Sequence, residues 1–293
     1  MDNKIIKAIR GYRKHYKNYI SVLIEVLLRK KDIYAILKNS KEPRVIPWEL
    51  AYAYSASKNI SDFKFTTDRL TFVYKGNSIS LHLGKSSDPY AVFFSEEYEF
   101  LKVKEKAVID IGTNIGDSPI YFSVNGASKV IGLEPYPYSY DLAKRNVEEN
   151  RLSNTIELLN CGYGKEGEIT VDDTLVSTAA SVLVSSDKGK KIRVLSLSTL
   201  ISDYEIKDAD LKMDCEGCEY SLLYEEDRVL RTLEKIQIEY HHGLGGIKEK
   251  LEGAGFEVRF TQPKKMLIGE QEKQVWHVGY IYAERRGQDF EAK

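Results

Sequence analysis

Hydrophobic and polar positions change rhythm three times along this chain. In residues 1–44, Ile5, Ile9, Tyr12, Tyr16, Tyr19, Leu23, Val26 and Leu27 recur every three or four positions. That spacing marks one face of a helix. It predicts one or two amphipathic helices with basic outer faces, stopping near Asn39-Ser40 and Pro43. Residues 62–83 alternate instead. Phe63 and Phe65, then Leu70, Phe72 and Tyr74, then Ile79, Leu81 and Leu83 are separated by polar residues, and Lys75-Gly76-Asn77 lies between two of the runs. Period two predicts a small antiparallel meander. From Ala107 onward, apolar runs at 107–111, 129–133, 155–159, 209–213, 235–239, 256–260 and 275–283 alternate with helical stretches at 117–125, 137–150, 217–225 and 245–254. Strand–helix alternation predicts an α/β fold, a mostly parallel sheet wrapped by helices. The stretch 161–200 is too long for a plain connection, and short strands are expected at 168–171, 182–184 and 191–195. The organisation read from these shifts is a basic helical extension (1–60), a small meander (61–95), an α/β domain (96–283) and a polar tail (284–293).

Composition narrows the classes. At 42% hydrophobic over 293 residues the chain has enough apolar material for a full core, which excludes global disorder. The net charge of −1 excludes a generic polyanion binder but conceals an asymmetry. Residues 1–44 carry twelve Lys and Arg against four acids, so this segment is +8 and the remainder −9. Such a segment is either a solvated helix face or a surface for phosphate groups or acidic lipid heads. Three cysteines are too few for a disulfide scaffold and point to a reducing compartment. The longest apolar stretch, 20–28, contains Glu25 and is far shorter than the ~20 residues of a bilayer helix. The first residues are charged and no signal-peptide pattern follows them, so the expected location is cytoplasmic.

The chemistry begins at residues 108–119, VIDIGTNIGDSP. A buried strand ends in Asp110, and then Gly112 and Gly116 bracket a turn into a helix. Glycine permits a sharp turn and a close approach of backbone to a ligand. Asp117 or Ser118 is expected to cap the helix, with Pro119 at its first position. Such a corner lies at the carboxyl edge of the sheet, where open α/β folds bind ligands. A dinucleotide fingerprint would read G-x-G-x-x-G, but here Asn114 replaces the second glycine. An acid at the strand end would repel a pyrophosphate and favour a sulfonium and amino group, which argues for S-adenosylmethionine. The next strand ends in Glu134, placed to accept hydrogen bonds from ribose hydroxyls. The third ends at Asn160, which could meet the adenine edge.

With these residues in view, the sequence resembles the class I S-adenosylmethionine-dependent methyltransferases, and among them the FkbM family. The resemblance rests on residues 108–117 (VIDIGTNIGD), Gly126-Ala127, residues 130–135 (VIGLEP), Asn160-Cys161-Gly162, residues 212–219 (KMDCEGCE) and residues 238–242 (IEYHH), and it covers roughly 96–283. It implies a Rossmann-like seven-stranded sheet whose last strand is antiparallel. It also implies methyl transfer to oxygen, often of a sugar or a glycosylated small molecule. The cofactor-binding set expected on this basis is Asp110, Gly112, Thr113, Asn114, Gly116, Asp117, Ser118, Glu134, Asn160, Cys161 and Gly162. Thr113 stands where the family usually has alanine.

The acceptor side is expected after the fourth strand. Residues 214–219 (DCEGCE) contain no Asn-Pro-Pro-Tyr-like segment of the kind that grips a planar base nitrogen. Carboxylates suit a hydroxyl, which must lose its proton as it attacks. Asp214 is the first choice beside the methyl group. Glu216 or Glu219 could hold a substrate hydroxyl, and Glu219 equally fits an acid stabilising a helix start. The fifth strand ends Glu239-Tyr240-His241-His242. One histidine must face the crevice, and His242 is chosen as general base ahead of His241. Asp214, Glu216 and His242 would be compatible with a divalent metal, which is not predicted because strand-end spacing does not establish ligand geometry. Cys215 and Cys218 are read as small fillers at a tight turn, and residues 177–181 as lining of the acceptor pocket. The expected partner is a hydroxyl-bearing sugar or glycoconjugate. The alternative is RNA, gripped by the basic residues 1–44.

Overall fold

A computed structural model describes residues 2–172, 189–268 and 274–287. The chain divides into two compact units, Met1–Tyr98 and Glu99–Lys293.

The first unit begins with α1 (Asp2–His15) and α2 (Tyr19–Leu27). Next come the antiparallel hairpin β1 (Asp32–Ile36) and β2 (Pro43–Pro47), and then α3 (Trp48–Ala56). The expected meander follows as β3 (Ile60–Phe65), β4 (Arg69–Tyr74) and β5 (Asn77–His82), and a π-helical turn, Tyr90–Phe94, closes the unit. Its core is aromatic. Phe63 meets Tyr54 at 4.8 Å and Phe94 at 6.0 Å, and Phe72 meets Phe93 at 4.8 Å, all near edge-to-face, the arrangement the ring quadrupoles favour. Two sequence expectations fail here. Residues 32–47 form a hairpin, because Ile33, Ala35 and Leu37 are buried while Tyr34 is exposed, a period of two. The outer face of α2 is not basic. Val22 and Val26 are its buried residues, while Ile20, Ile24 and Leu27 face out.

The second unit runs β6 (Ala107–Ile111), α4 (Asp117–Val124), β7 (Lys129–Leu133), α5 (Pro137–Glu149) and β8 (Ile156–Leu159). A small sheet follows: β9 (Cys161–Tyr163), β10 (Gly167–Val171) and β11 (Lys190–Leu195), in the order β10-β11-β9. Then come α6 (Leu197–Asp203), β12 (Ala209–Met213), a 3-10 helix at Cys218–Tyr224, α7 (Asp227–Leu230) and β13 (Leu233–Tyr240). The unit ends with α8 (Ile247–Gly253), β14 (Phe256–Phe260), β15 (Lys264–Ile268) and β16 (Gln274–Arg285). The expected strand 182–184 and the pocket residues 177–181 lie outside the described residues.

The main sheet has the order β14-β16-β13-β12-β6-β7-β8. Strands β6, β7, β8, β12 and β13 pair in parallel, and β16 is antiparallel to both neighbours. This is the expected seven-stranded sheet, with β15 added as an eighth strand on the first half of β16. β16 also runs through Glu284 and Arg285, the start of the expected tail, because Arg285 is tied to Asp208 and to the Arg231 carbonyl. β12 is buried at every position, as a strand covered on both faces must be. After β6 the chain builds outward through β7 and β8 and later returns to the other side of β6 with β12. The carboxyl ends of β6 and β12 therefore flank a topological switch point, where the crevice of an open α/β sheet lies.

Candidate active site

The loop after β6 is built from left-handed backbone: Gly112 (φ 83°), Asn114 (φ 44°) and Gly116 (φ 84°). A Cβ on Gly112 would stand 1.9 Å from the Asp214 carbonyl oxygen. The turn is thus pressed against the end of β12, and this contact within the protein demands glycine there. Gly116 is the left-handed N-cap of α4, and a Cβ there would meet the backbone of Ala143 at 3.0 Å. Neither Asp117 nor Ser118 caps the helix, and Pro119 is its third residue rather than its first. The Ser118 hydroxyl instead donates to Asp110 Oδ2 at 2.6 Å.

That bond belongs to a buried cluster. Asp110 and Lys212 are both buried, with Nζ 3.0 Å from Oδ1. Lys212 also donates to the Gly112 carbonyl at 2.6 Å, so one ammonium clamps the strand-end acid and the loop. Burial opposes the charge on Lys212, but Asp110, Asp214 and Asp117 outweigh it and hold its pKa above the ordinary lysine value. This overturns the electrostatic argument made from the sequence. The Asp110 carboxylate is neutralised inside the protein and does not select the charge of a ligand.

Glu134 is buried at the end of β7. Its Oε2 accepts from Asn114 N–H (2.8 Å) and its Oε1 from Tyr136 N–H (3.0 Å). Burial pushes its pKa up to about 8 against those two hydrogen bonds. A carboxylate accepts about four hydrogen bonds, so each oxygen retains capacity for a ribose hydroxyl. The Thr113 hydroxyl oxygen is buried in the same loop and has no hydrogen-bond partner among the described residues. A left-handed loop, an acceptor carboxylate and an unsatisfied hydroxyl fit a nucleoside. Asn160 is used differently from the expectation. Its amide nitrogen donates to the carbonyls of Glu134 and Pro135 (2.9 and 3.0 Å), and its oxygen accepts from Lys190 (2.8 Å). It braces the turn that carries Glu134. Cys161 and Gly162 open β9 and pair with β11, and burial pushes the Cys161 thiol up to about 12.

Across the crevice, Asp214 is half-buried and its N–H donates to the Ile111 carbonyl at 3.0 Å. Cys215 and Cys218 form a disulfide rather than acting as separate fillers. The bridge encloses Glu216 (φ 54°) and Gly217 (φ 124°). Glu219 is wholly buried and organises the loop. Its Oε2 accepts from Gly217 N–H (2.7 Å), and its Oε1 accepts from His241 N–H (2.9 Å) and lies 3.1 Å from His241 Nδ1. The other ring nitrogen of His241, Nε2, lies 3.7 Å from Asp214 Oδ1. Burial disfavours a charged His241, but the hydrogen bond and charge of Glu219, with the charges of Asp214 and Glu216, outweigh it and raise its pKa.

The structure therefore brings His241, not the chosen His242, to Asp214. His242 is exposed, and its ring packs on Tyr220 (6.1 Å) and Trp276 (5.5 Å). His242 makes an isolated bridge to His277 just past the end of β13, and Glu219 holds His241 through both its backbone N–H and its ring. Asp214, Glu216 and His242 do not gather as a ligand set. Among the described residues no group of three or more His, Cys, Asp or Glu is placed to hold a metal ion. Lys212 had no assigned role in the sequence reading. Its signal was a lysine two residues after Asp210 and two before Asp214, inside a run that is apolar at its other positions. A groove of about 500 Å³ lined by Lys106, Lys129, Tyr204 and Glu234 lies at the amino edge of the sheet, away from this site. Among the described residues no helix is long and apolar enough to cross a membrane.

A curated relative, uncharacterized protein 158B of Sulfolobus islandicus rod-shaped virus 1, is 26% identical over 136 residues, covering 46% of this chain and 85% of its own. Among solved structures, a putative transferase from Pyrococcus horikoshii aligns at 15% identity and TM-score 0.41, covering 76% of this chain and 74% of its own. TYW2 from M. jannaschii in complex with AdoMet aligns at 16% identity and TM-score 0.39, covering 77% of this chain and 90% of its own. At these TM-scores neither structure carries weight for function. The model of the methyltransferase FkbM domain matches residues 110–280, from the acid that Lys212 clamps to the antiparallel strand, and the chain belongs to that family.

Proposed function

We propose that this methyltransferase takes its methyl group from S-adenosylmethionine and delivers it to a hydroxyl, that of a sugar or glycoconjugate. The cofactor would lie on the loop of residues 112–116, with its ribose hydroxyls on Glu134 and its tail beside Asp117. Gly112 and Gly116 shape that loop, and Lys212, Ser118 and Asn160 hold its frame. When bound, S-adenosylmethionine supplies an activated methyl on a sulfonium, so the protein's task is mainly to position the acceptor and take its proton.

The observation that carries the hydroxyl reading is the array Glu219–His241–Asp214. With its Nδ1 proton donated to Glu219, His241 keeps the Nε2 lone pair free to accept a proton. Asp214, half-buried at the crevice, would accept the acceptor's hydroxyl hydrogen bond and relay its proton to His241 or to water. Glu216, whose charge acts on both Glu134 and His241, would orient a second hydroxyl. A carbon–oxygen bond forms as the carbon–sulfur bond breaks, and the hydroxyl proton leaves to the base.

The test pairs calorimetry with a transfer assay. Wild type should bind S-adenosylmethionine and S-adenosylhomocysteine, and Glu134→Ala should weaken both strongly. Labelled methyl should then appear in a glycan pool and not in RNA. A folded wild type that binds neither nucleoside would overturn the cofactor assignment. Transfer confined to RNA would replace the acceptor assignment.

A further inference from the structure

We propose that the outward face of α2 and the adjoining hairpin dock on an anionic lipid bilayer surface. The helix, YISVLIEVL, has a single charged residue, Glu25. It buries Val22 and Val26, yet Ile20 (58%), Ile24 (51%), Leu27 (74%) and the following Leu28 (66%) are largely exposed. At about 100° per residue these four aliphatic side chains span about 100° of the wheel, roughly opposite Val22 and Val26. A helix that is apolar on its solvent side as well as its core side lacks its second partner. The patch continues onto the hairpin. Tyr34 and Val45 are cross-strand neighbours and both exposed. The backbone of Tyr34 is bonded to the side chains of Asn18 and Glu25, which joins this pair to α2. Single exposed aliphatics are ordinary, whereas a contiguous group on adjacent elements marks an interaction surface.

Charge identifies the occupant. Arg29, Lys30 and Lys31 follow the helix directly, Lys38 and Lys41 stand in the hairpin turn, and all five are exposed. The one acid within α2, Glu25, is paired with Lys30 at 3.6 Å. A second copy docked through the same patch would set these cations against their own equivalents, a like-charge contact. RNA would satisfy the cations and leave the aliphatic face in water. A bilayer of anionic lipid accepts both, with headgroup phosphates for the cations and the acyl boundary for Ile20, Ile24, Leu27 and Leu28. A helix of this length lies in the interface and does not cross it.

The full chain should co-sediment with phosphatidylcholine vesicles containing phosphatidylserine at least tenfold better than with phosphatidylcholine alone, and added salt should weaken the binding. Lys30→Glu with Lys31→Glu should lower the partition to anionic vesicles by about tenfold or more, at ~1 kcal/mol per basic residue. Ile24→Ser with Leu27→Ser should lower it comparably at constant salt. Both pairs are exposed, and circular dichroism should show an unchanged fold. Failure to bind anionic vesicles would overturn the proposal, as would binding indifferent to the aliphatic pair. A dimer in sedimentation velocity that Ile24→Ser with Leu27→Ser dissociates would assign the patch to a second copy. RNA binding lost in the lysine pair, without vesicle binding, would assign it to nucleic acid.

Discussion

Replacing Lys212 by methionine tests the central claim about the cofactor loop. In the folded protein Lys212 Nζ lies 3.0 Å from Asp110 and 2.6 Å from the Gly112 carbonyl, with both side chains buried. Lys212→Met leaves Asp110 with Ser118 as its remaining neutral donor. Removing one partner of a buried ion pair costs about 3–5 kcal/mol. At roughly 2–4 °C per kcal/mol for a unit of this size, the melting temperature should fall by about 6–20 °C. The sign of the pH dependence follows. Burial already holds the folded-state pKa of Asp110 above its unfolded value against Lys212 and Ser118, and losing Lys212 raises it further. The variant is then destabilised progressively as pH rises through that window, and it recovers toward acid as Asp110 takes a proton. The assay is thermal unfolding of wild type, Lys212→Met, Asp110→Asn and the double variant across pH. Removing both charges should restore at least about 2 kcal/mol relative to Lys212→Met alone, because the unpaired carboxylate is then gone. If Lys212→Met melts with wild type, or if the double variant is no more stable than that single one, the clamp does not exist as described.

Three further outcomes are expected. If S-adenosylmethionine binds the Glu134 carboxylate, whose pKa in the free protein is about 8, affinity should rise about tenfold per pH unit below 8 and level above it. Glu134→Gln should flatten that slope, and a flat wild-type profile by calorimetry would refute the ribose assignment. His241→Gln should lower kcat by about 10²–10⁴-fold while His242→Gln changes it only a few-fold, and the wild-type rate should rise with pH through a midpoint above that of ordinary imidazole. Equal losses in the two variants would remove His241 from the chemistry. Reduction of Cys215–Cys218, which closes a four-residue loop, should lower stability by about 2 kcal/mol in a denaturant titration, and an unchanged midpoint would show that the bridge does not constrain the unfolded chain.

Local pattern carried much of this protein. Most strands and helices after Ala107 were legible because period-two and period-3.6 burial are properties of neighbouring residues, and β6, β7, β12 and β13 fall where the apolar runs do, whereas the short elements β9, α6, α7 and β15 were not anticipated. The loop of residues 112–116 was legible because glycines between a strand and a helix leave few backbone choices. The meander was equally plain, since each strand alternates within itself. What the sequence left undecided depended on which distant residues the sheet order brings together. The proximity of β12 to β6 turned Asp110 from a candidate ligand contact into the partner of a lysine about a hundred residues away. The pairing of β13 with β12, and the buried Glu219 beside it, chose His241 over His242. Asn160 looked like a recognition amide until the turn after β7 supplied two carbonyls for it. The apolar outer face of α2 was hidden for the same reason. Helical spacing shows that a helix has an apolar side, but only packing shows which side the core takes and which apolar residues it leaves exposed. Charge and hydrogen-bond partners across the sheet are set by tertiary geometry, and at this site those partners decide which side chains hold the frame and which are left for the ligand.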